Sequence, residues 1–190
     1  MTERLVAFAF IALFAKGTAV RAADDYAVDP VHSSITFKVQ HLGLAFVHGR
    51  FNDYSGTISI DADAAKCTFT MSIKVESIDT ANAMRDQHLR TPDFFDAKQF
   101  PNITFKSTSV KAAKDDYEVT GDFTMHGVTK SISFVLTGGK TADIKGMKRI
   151  GFTTDLSVKR SDYGMKGGIP AIGDEVYIAI SFEGIKNMAK

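Results

Sequence analysis

The sequence predicts an all-β fold: one antiparallel β-barrel with a short helical insertion near residues 80–97. Three observations predict it. Apolar and polar residues alternate with a period of two through most of the chain, the pattern of half-buried strands. Most segments between the alternating runs are short and carry turn residues, which joins antiparallel neighbours rather than βαβ units. About nine such runs, each with one apolar face, must hide that face and two sheet edges; closing the sheet does both. A two-sheet sandwich is the alternative packing.

The runs follow one another along the chain. Ile35, Phe37 and Val39 alternate with Thr36, Lys38 and Gln40, and a second strand spans the segment around Ala45 to Phe51. Ile58 and Ile60 come next, then Cys67, Phe69, Met71, Ile73 and Val75. Ile103 and Phe105 open a fifth run, followed by Tyr117, Val119, Phe123 and Met125. Ile132, Phe134 and Leu136 form the seventh; Ile150, Phe152, Leu156 and Val158 the eighth; Val176, Ile178, Ile180 and Phe182 the last. Two connections are long. Asp79 to Pro101 contains a predicted helix, Ala81 to Arg90, with Asp79 or Thr80 as N-cap and Thr91-Pro92 as its stop. Ser161 to Asp174 holds four glycines and Pro170; long loops in compact domains are usually functional or mobile.

The first 22 residues read as a secretory signal. Arg4 is the basic start, Leu5 to Ala15 an unbroken apolar run, and Val20-Arg21-Ala22 a cleavage site. The run is too short to span a bilayer, which needs roughly 20 residues. The expectation is an exported mature domain of residues 23–190, without stable membrane insertion. Removing Arg4, Lys16, Arg21 and Glu3 leaves 20 basic against 21 acidic residues. No basic stripe asks for nucleic acid. Cys67 is the one cysteine, so no internal disulfide can form, and its phase predicts an inert buried thiol. The absence of Trp and of an aromatic girdle argues against an outer-membrane barrel.

Several segments carry a resemblance. They are Asp29-Pro30-Val31-His32-Ser33-Ser34-Ile35-Thr36-Phe37 with its continuation to Gly43, Gly49-Arg50-Phe51, and Arg85-Asp86-Gln87-His88-Leu89. Phe94-Phe95-Asp96, Phe100 to Phe105, Gly121 to Thr129 and Arg160-Ser161-Asp162-Tyr163-Gly164-Met165 follow. In this order and spacing the chain resembles the YceI-like family of periplasmic, lipocalin-like, polyisoprenoid-binding proteins. The resemblance implies an eight-stranded lipocalin-like barrel with a helical insertion, an apolar pocket for an isoprenoid chain, and no catalytic residue.

The inward phase supplies the candidate ligand wall: Phe37, Val39, Phe69, Met71, Ile73, Phe105, Phe123, Met125, Phe134, Phe152, Leu156 and Ile178. The same residues could equally pack one another as a filled core. Phe94 and Phe95 either plug one barrel end or touch the ligand as well. The many Phe and Met side chains suit a flexible chain. The expected partner is a polyisoprenoid or another long-chain lipid, with no cofactor and no catalysis.

The alternative is a haem- or metal-dependent redox accessory or enzyme, with His41 and His48 as the ligating pair. No HxxxH or CxxC spacing supports it. His32, His88 and His126 read as hydrogen-bonding residues at strand ends and turns, and His126-Gly127 as a hairpin tip. Arg85, Asp86 and His88 lack an accompanying nucleophile, and a buried ion pair fixing the insertion is the expected arrangement. Gly164 to Gly168 is no phosphate loop. Its glycines suit a mobile lid, with Lys166 placed to meet a head-group phosphate.

Overall fold

The computed structural model describes residues 23–186; the segment expected to be a secretory signal, 1–22, lies outside them. Ten strands form one continuous antiparallel sheet: β1 (Asp24–His41), β2 (Ala45–Phe51), β3 (Tyr54–Ile60), β4 (Thr68–Lys74), β5 (Ile78–Asp79), β6 (Asn102–Ala113), β7 (Asp116–Met125), β8 (Val128–Ile144), β9 (Met147–Lys159) and β10 (Ile172–Lys186). β10 returns to pair with β1 along its length, from Tyr26 opposite Lys186 to His41 opposite Ile172, and this closes the sheet.

Ten strands make an eight-stranded barrel because two barrel strands are interrupted. β2 and β3 both pair with β1, β2 against its C-terminal half and β3 against its N-terminal end. They act as one strand broken at Asn52-Asp53. β4 and β5 run antiparallel beside that pair and are likewise one strand, broken by a 3₁₀ turn at Val75–Ser77. Counted so, the order around the barrel is a pure meander, as the short connections predict.

The phase of each run fixes which face is inside. In β1 the odd positions Ile35, Phe37 and Val39 point inward. In β10 the even ones, Val176, Ile178, Ile180 and Phe182, do the same, since Phe37 pairs with Ile178 and Ile35 with Ile180. The apolar face therefore lines the interior, and the outer surface carries the Thr, Lys, Asp and Glu of the alternate phase. Turn chemistry closes the hairpins. His126 and Gly127, both at positive φ, form the two-residue turn between β7 and β8, the twist-matched type that favours such residues.

One end of the barrel is packed solid. Phe152 meets Phe69 and Phe182, each with ring centroids at 5.5 Å, and Tyr117 at 6.0 Å. Tyr26, Ile58, Val119, Leu136 and Ile150 fill the space around them, each at most 2% exposed. The other end is spanned by two excursions, residues 80–101 and 160–171.

The first holds α1 (Ala83–Leu89), shorter than predicted and starting two residues later. Its N-cap is Asn82, whose side chain accepts from the Arg85 amide at 3.0 Å; neither Asp79 nor Thr80 caps it. Asp79 instead accepts from Ala81, and the left-handed φ of Ala81 turns the chain before the helix begins.

Candidate functional site: an apolar cavity opening at one end

Between the packed end and α1 the interior is not filled. A cavity of about 650 Å³ runs up the barrel. The wall residues supply the evidence that it is open space. Phe37, Val39, Met71, Phe105, Phe134, Leu156 and Ile178 all point inward yet remain half-buried, whereas their counterparts at the packed end are almost fully buried. An inward side chain keeps accessible surface only where nothing packs against it.

Of the fourteen wall residues anticipated from phase and resemblance, thirteen line this cavity: Phe37, Val39, Phe69, Met71, Ile73, Phe94, Phe95, Phe105, Phe123, Met125, Phe134, Leu156 and Ile178. Phe152 does not. It shares the phase but lies in the aromatic cluster that plugs the far end, because period two identifies the face of a residue and not its height along the barrel. Residues outside the anticipated set complete the wall, among them Ile35, Val47 and Ile132 from strands, and Met84, Arg85 and Leu89 from α1. The α1 residues escape notice in the sequence because nothing local says that this short helix lies over the barrel mouth.

Gly49 shapes the wall by absence. A Cβ there would stand 2.4 Å from Phe37 Cζ and 2.9 Å from Thr80 Cγ2. The missing side chain lets the Phe37 ring lie against the β2 backbone, where it would otherwise be pushed into the cavity.

The mouth is framed by polar side chains spent on backbone. Arg85 donates from Nε to Thr80 Oγ1 and from Nη2 to Thr80 O, both at 2.7 Å. Asp86 accepts from Thr80 N at 2.9 Å and from its hydroxyl. The expected Arg85–Asp86 ion pair is thus replaced: both side chains converge on Thr80, and the insertion is tied to β5 through that residue. Arg90 adds bonds to Ile78 O and Glu76 O at 3.0 and 2.9 Å.

The second excursion, whose glycines suit a mobile lid, is stapled by one buried arginine. Arg160 is 5% exposed, and it donates to the carbonyls of Gly173, Met165, Gly167 and Ile172 at 2.8–3.0 Å. Desolvation lowers its pKa from the ordinary arginine value, but four carbonyl acceptors satisfy the guanidinium and staple the loop around it. Met165, 4% exposed, points into the cavity wall, while Lys166 points to solvent and is absent from the wall.

Strand phase separates His41 from His48. His41 lies at the inner rim of the mouth. His48 pairs with Lys38, so it faces outward. The two stand on opposite sides of the sheet and cannot share an ion. His32 bonds Asp29 at 2.8 Å, His88 bonds Asp93 at 3.1 Å, and His126 Nδ1 lies 3.0 Å from Tyr163 O. Asp29, His32 and Glu183 come close enough together to suggest a cation, and the Arg149 guanidinium fills that role, 2.7 and 2.9 Å from the two carboxylates. Cys67 is buried, and desolvation raises its thiol pKa.

Comparison with known proteins agrees with this geometry. A YceI-like domain matches residues 26–184. Protein YceI of Escherichia coli O17:K52:H18 is 37% identical over 191 residues, covering 98% of this chain and 99% of that protein. Among solved structures, Burkholderia cenocepacia BcnA superposes with a TM-score of 0.73 at 27% identity, covering 82% of this chain and 98% of BcnA. A polyisoprenoid-binding domain from Saccharophagus degradans shares the fold, with a TM-score of 0.68 at 19% identity over 85% of this chain and 98% of that one. The chain belongs to the YceI-like family.

Proposed function

We propose that this YceI-like barrel is a periplasmic binding or carrier protein that holds a polyisoprenoid or similarly long apolar lipid, and that it is not an enzyme. One observation carries the reading: the inward Phe, Met and aliphatic side chains surround about 650 Å³ of open space instead of packing one another. That volume is within the ordinary range for ligand pockets, ~300–1,000 Å³.

The magnitudes are permissive. At about 30 Å³ per carbon-sized group, taken from the volume of a liquid water, the cavity of about 650 Å³ accommodates about 20 such groups. Burying them at ~0.8 kcal/mol each yields about 16 kcal/mol, from which association costs of ~4–15 kcal/mol are subtracted. A remainder of about 8 kcal/mol corresponds to micromolar affinity.

Several polar groups near the wall are engaged in the frame, which supports binding over catalysis. Thr80 serves Arg85 and Asp86, Thr154 donates to Val135 O, and Arg160 donates to four carbonyls. The Saccharophagus degradans domain of the same fold is a polyisoprenoid-binding domain, which fits the reading. The apolar run at Leu5 to Ala15 supports export. The test is extraction of lipid from protein purified out of its own host, read by native mass spectrometry. A co-purifying prenyl chain is expected; protein that carries no lipid and takes up no supplied prenyl chain would sink the proposal.

A further inference from the structure

We propose that the β1–β2 hairpin is a membrane-docking element that sets the cavity mouth against an anionic bilayer surface; the inference rests on the lipid-carrier reading. A lipid leaving a bilayer for this cavity must pass the rim, so what the rim exposes matters. At the hairpin tip Leu42 is 57% and Leu44 85% exposed. Met84 of α1, which also lines the cavity, is 80% exposed. The inward residues beside the tip, His41 and Val47, line the cavity itself, so the exposed leucines are continuous with its wall. The tip is also held in place, with Leu42 N donating to Ala171 O at 2.7 Å and Leu44 N to His41 O at 3.0 Å.

The outer face of the same hairpin is graded in the order that a bilayer interface requires. Below the leucines comes Phe46, two residues from Leu44 and so about 7 Å down the strand. Its ring meets Tyr177 edge-on at 5.9 Å. Next comes Lys38, which pairs with Tyr177 and His48 and lies 4.9 Å from the Phe46 ring centroid. Aliphatic tip, aromatic pair and cation thus follow one another with depth. Aliphatic side chains partition into the acyl boundary, aromatic rings sit at the headgroup level and a lysine snorkels to the phosphates. Lys38 points to an anionic surface as the occupant, although Glu175, which accepts from Tyr177 Oη at 3.2 Å, lies beside the same aromatic pair.

A second apolar tip, Ile144 and Met147 on the β8–β9 hairpin, is also half-exposed. It projects from the packed end, away from the mouth, and the proposal gives it no part in docking.

The test is flotation of the mature protein with vesicles of phosphatidylethanolamine and phosphatidylglycerol, compared with phosphatidylcholine alone. The parent is expected to float with the anionic vesicles. Leu42→Asn with Leu44→Ser should weaken partitioning at least about tenfold, the scale of losing buried leucine surface; Asn tolerates the left-handed φ of position 42. Lys38→Gln should reduce the preference for anionic vesicles, and Ile144→Ser with Met147→Ser should float like the parent. A parent that stays with the soluble fraction, or a Leu42/Leu44 variant that floats as well as the parent, would overturn the proposal. Loading of a prenyl chain from detergent, without vesicles, is measured in parallel. It should be unchanged in the Leu42/Leu44 variant; failure of loading in the parent defeats the carrier reading, while flotation still judges the docking surface.

Discussion

Arg149 Nη1 lies 2.7 Å from Asp29 Oδ2, and this contact joins β9 to β1 across 120 positions of sequence. β10 stands between those strands, and its Glu183 takes a second bond from the same nitrogen at 2.9 Å. The cluster therefore fastens the barrel closure at the point where the β1–β10 register shifts, between Asp29 and Ser34. Asp29 also orders that irregular segment, accepting from the Val31 amide.

This geometry predicts an acid limb. The His32 ring and then the Arg149 guanidinium hold the Asp29 carboxyl at about 2, below its ordinary 3.8. A depressed folded-state pKa means that the contribution is complete above pH 4 and is lost as the pH falls from there through about 2. The loss should be at most about 2 kcal/mol, reduced by solvent screening on the exposed His32 side. Chemical denaturation across pH 2 to 6 should show this slope in the parent and a shallower one in Asp29→Asn. Equal slopes would remove Asp29 from the account.

Arg160 should tolerate no substitution. Arg160→Lys retains the charge but lacks the planar fork that reaches four carbonyls at once, and stranded buried carbonyls cost about 1–3 kcal/mol each. A loss of about 2–4 kcal/mol in urea unfolding is expected, with faster amide exchange confined first to residues 164–173. Parental exchange there would mean that the loop does not depend on the guanidinium.

Cys67 should be silent in the folded protein. Its thiol is buried and its pKa raised by desolvation, and only the thiolate reacts rapidly. Titration with an aromatic disulfide at pH 8 should find less than about one-tenth of a thiol per native chain and a full equivalent in denaturant. Rapid native reaction would show that the barrel opens around β4.

What the sequence revealed and what it concealed divide along physical lines. Strand faces were legible, because a period of two is written into every run and a half-buried strand must obey it. Phe37, Phe105 and Phe134 were placed inward on that basis, and they line the cavity. Height along the barrel was not legible, which is why Phe152 was grouped with them although it belongs to the plug. Nor were the two excursions. Asn82 caps α1 instead of Asp79 or Thr80, and the roles of Arg85, Asp86 and Arg160 depend on carbonyls and hydroxyls that only the folded chain brings together. The glycine-rich stretch from Gly164 suggests motion, whereas the bonds from Arg160 to its carbonyls are invisible in the sequence.

The contrast between Phe134 and Phe152 separates packing from cargo. Both are inward phenylalanines on adjacent strands, β8 and β9. Phe152 is 2% exposed and makes ring contacts with Phe69, Tyr117 and Phe182. Phe134 is half-buried, meets Phe105 at 5.2 Å and otherwise faces open cavity. Phe152→Ala should cost about 3–5 kcal/mol, since it leaves a void among rigid neighbours. Phe134→Ala should cost less, about 1–2 kcal/mol, because part of its ring surface is already unpacked in the empty barrel. Lipid retention should respond in the opposite order: Phe134→Ala enlarges the channel and loosens the grip on a prenyl chain, whereas Phe152→Ala leaves affinity near parental as long as the barrel is folded. The measurements are urea unfolding of delipidated protein and equilibrium binding of a fluorescent prenyl chain at a temperature where both variants are folded. Binding weakened more by Phe152→Ala than by Phe134→Ala would place the cargo against the aromatic plug, and the wall assigned here would have to be redrawn toward that end.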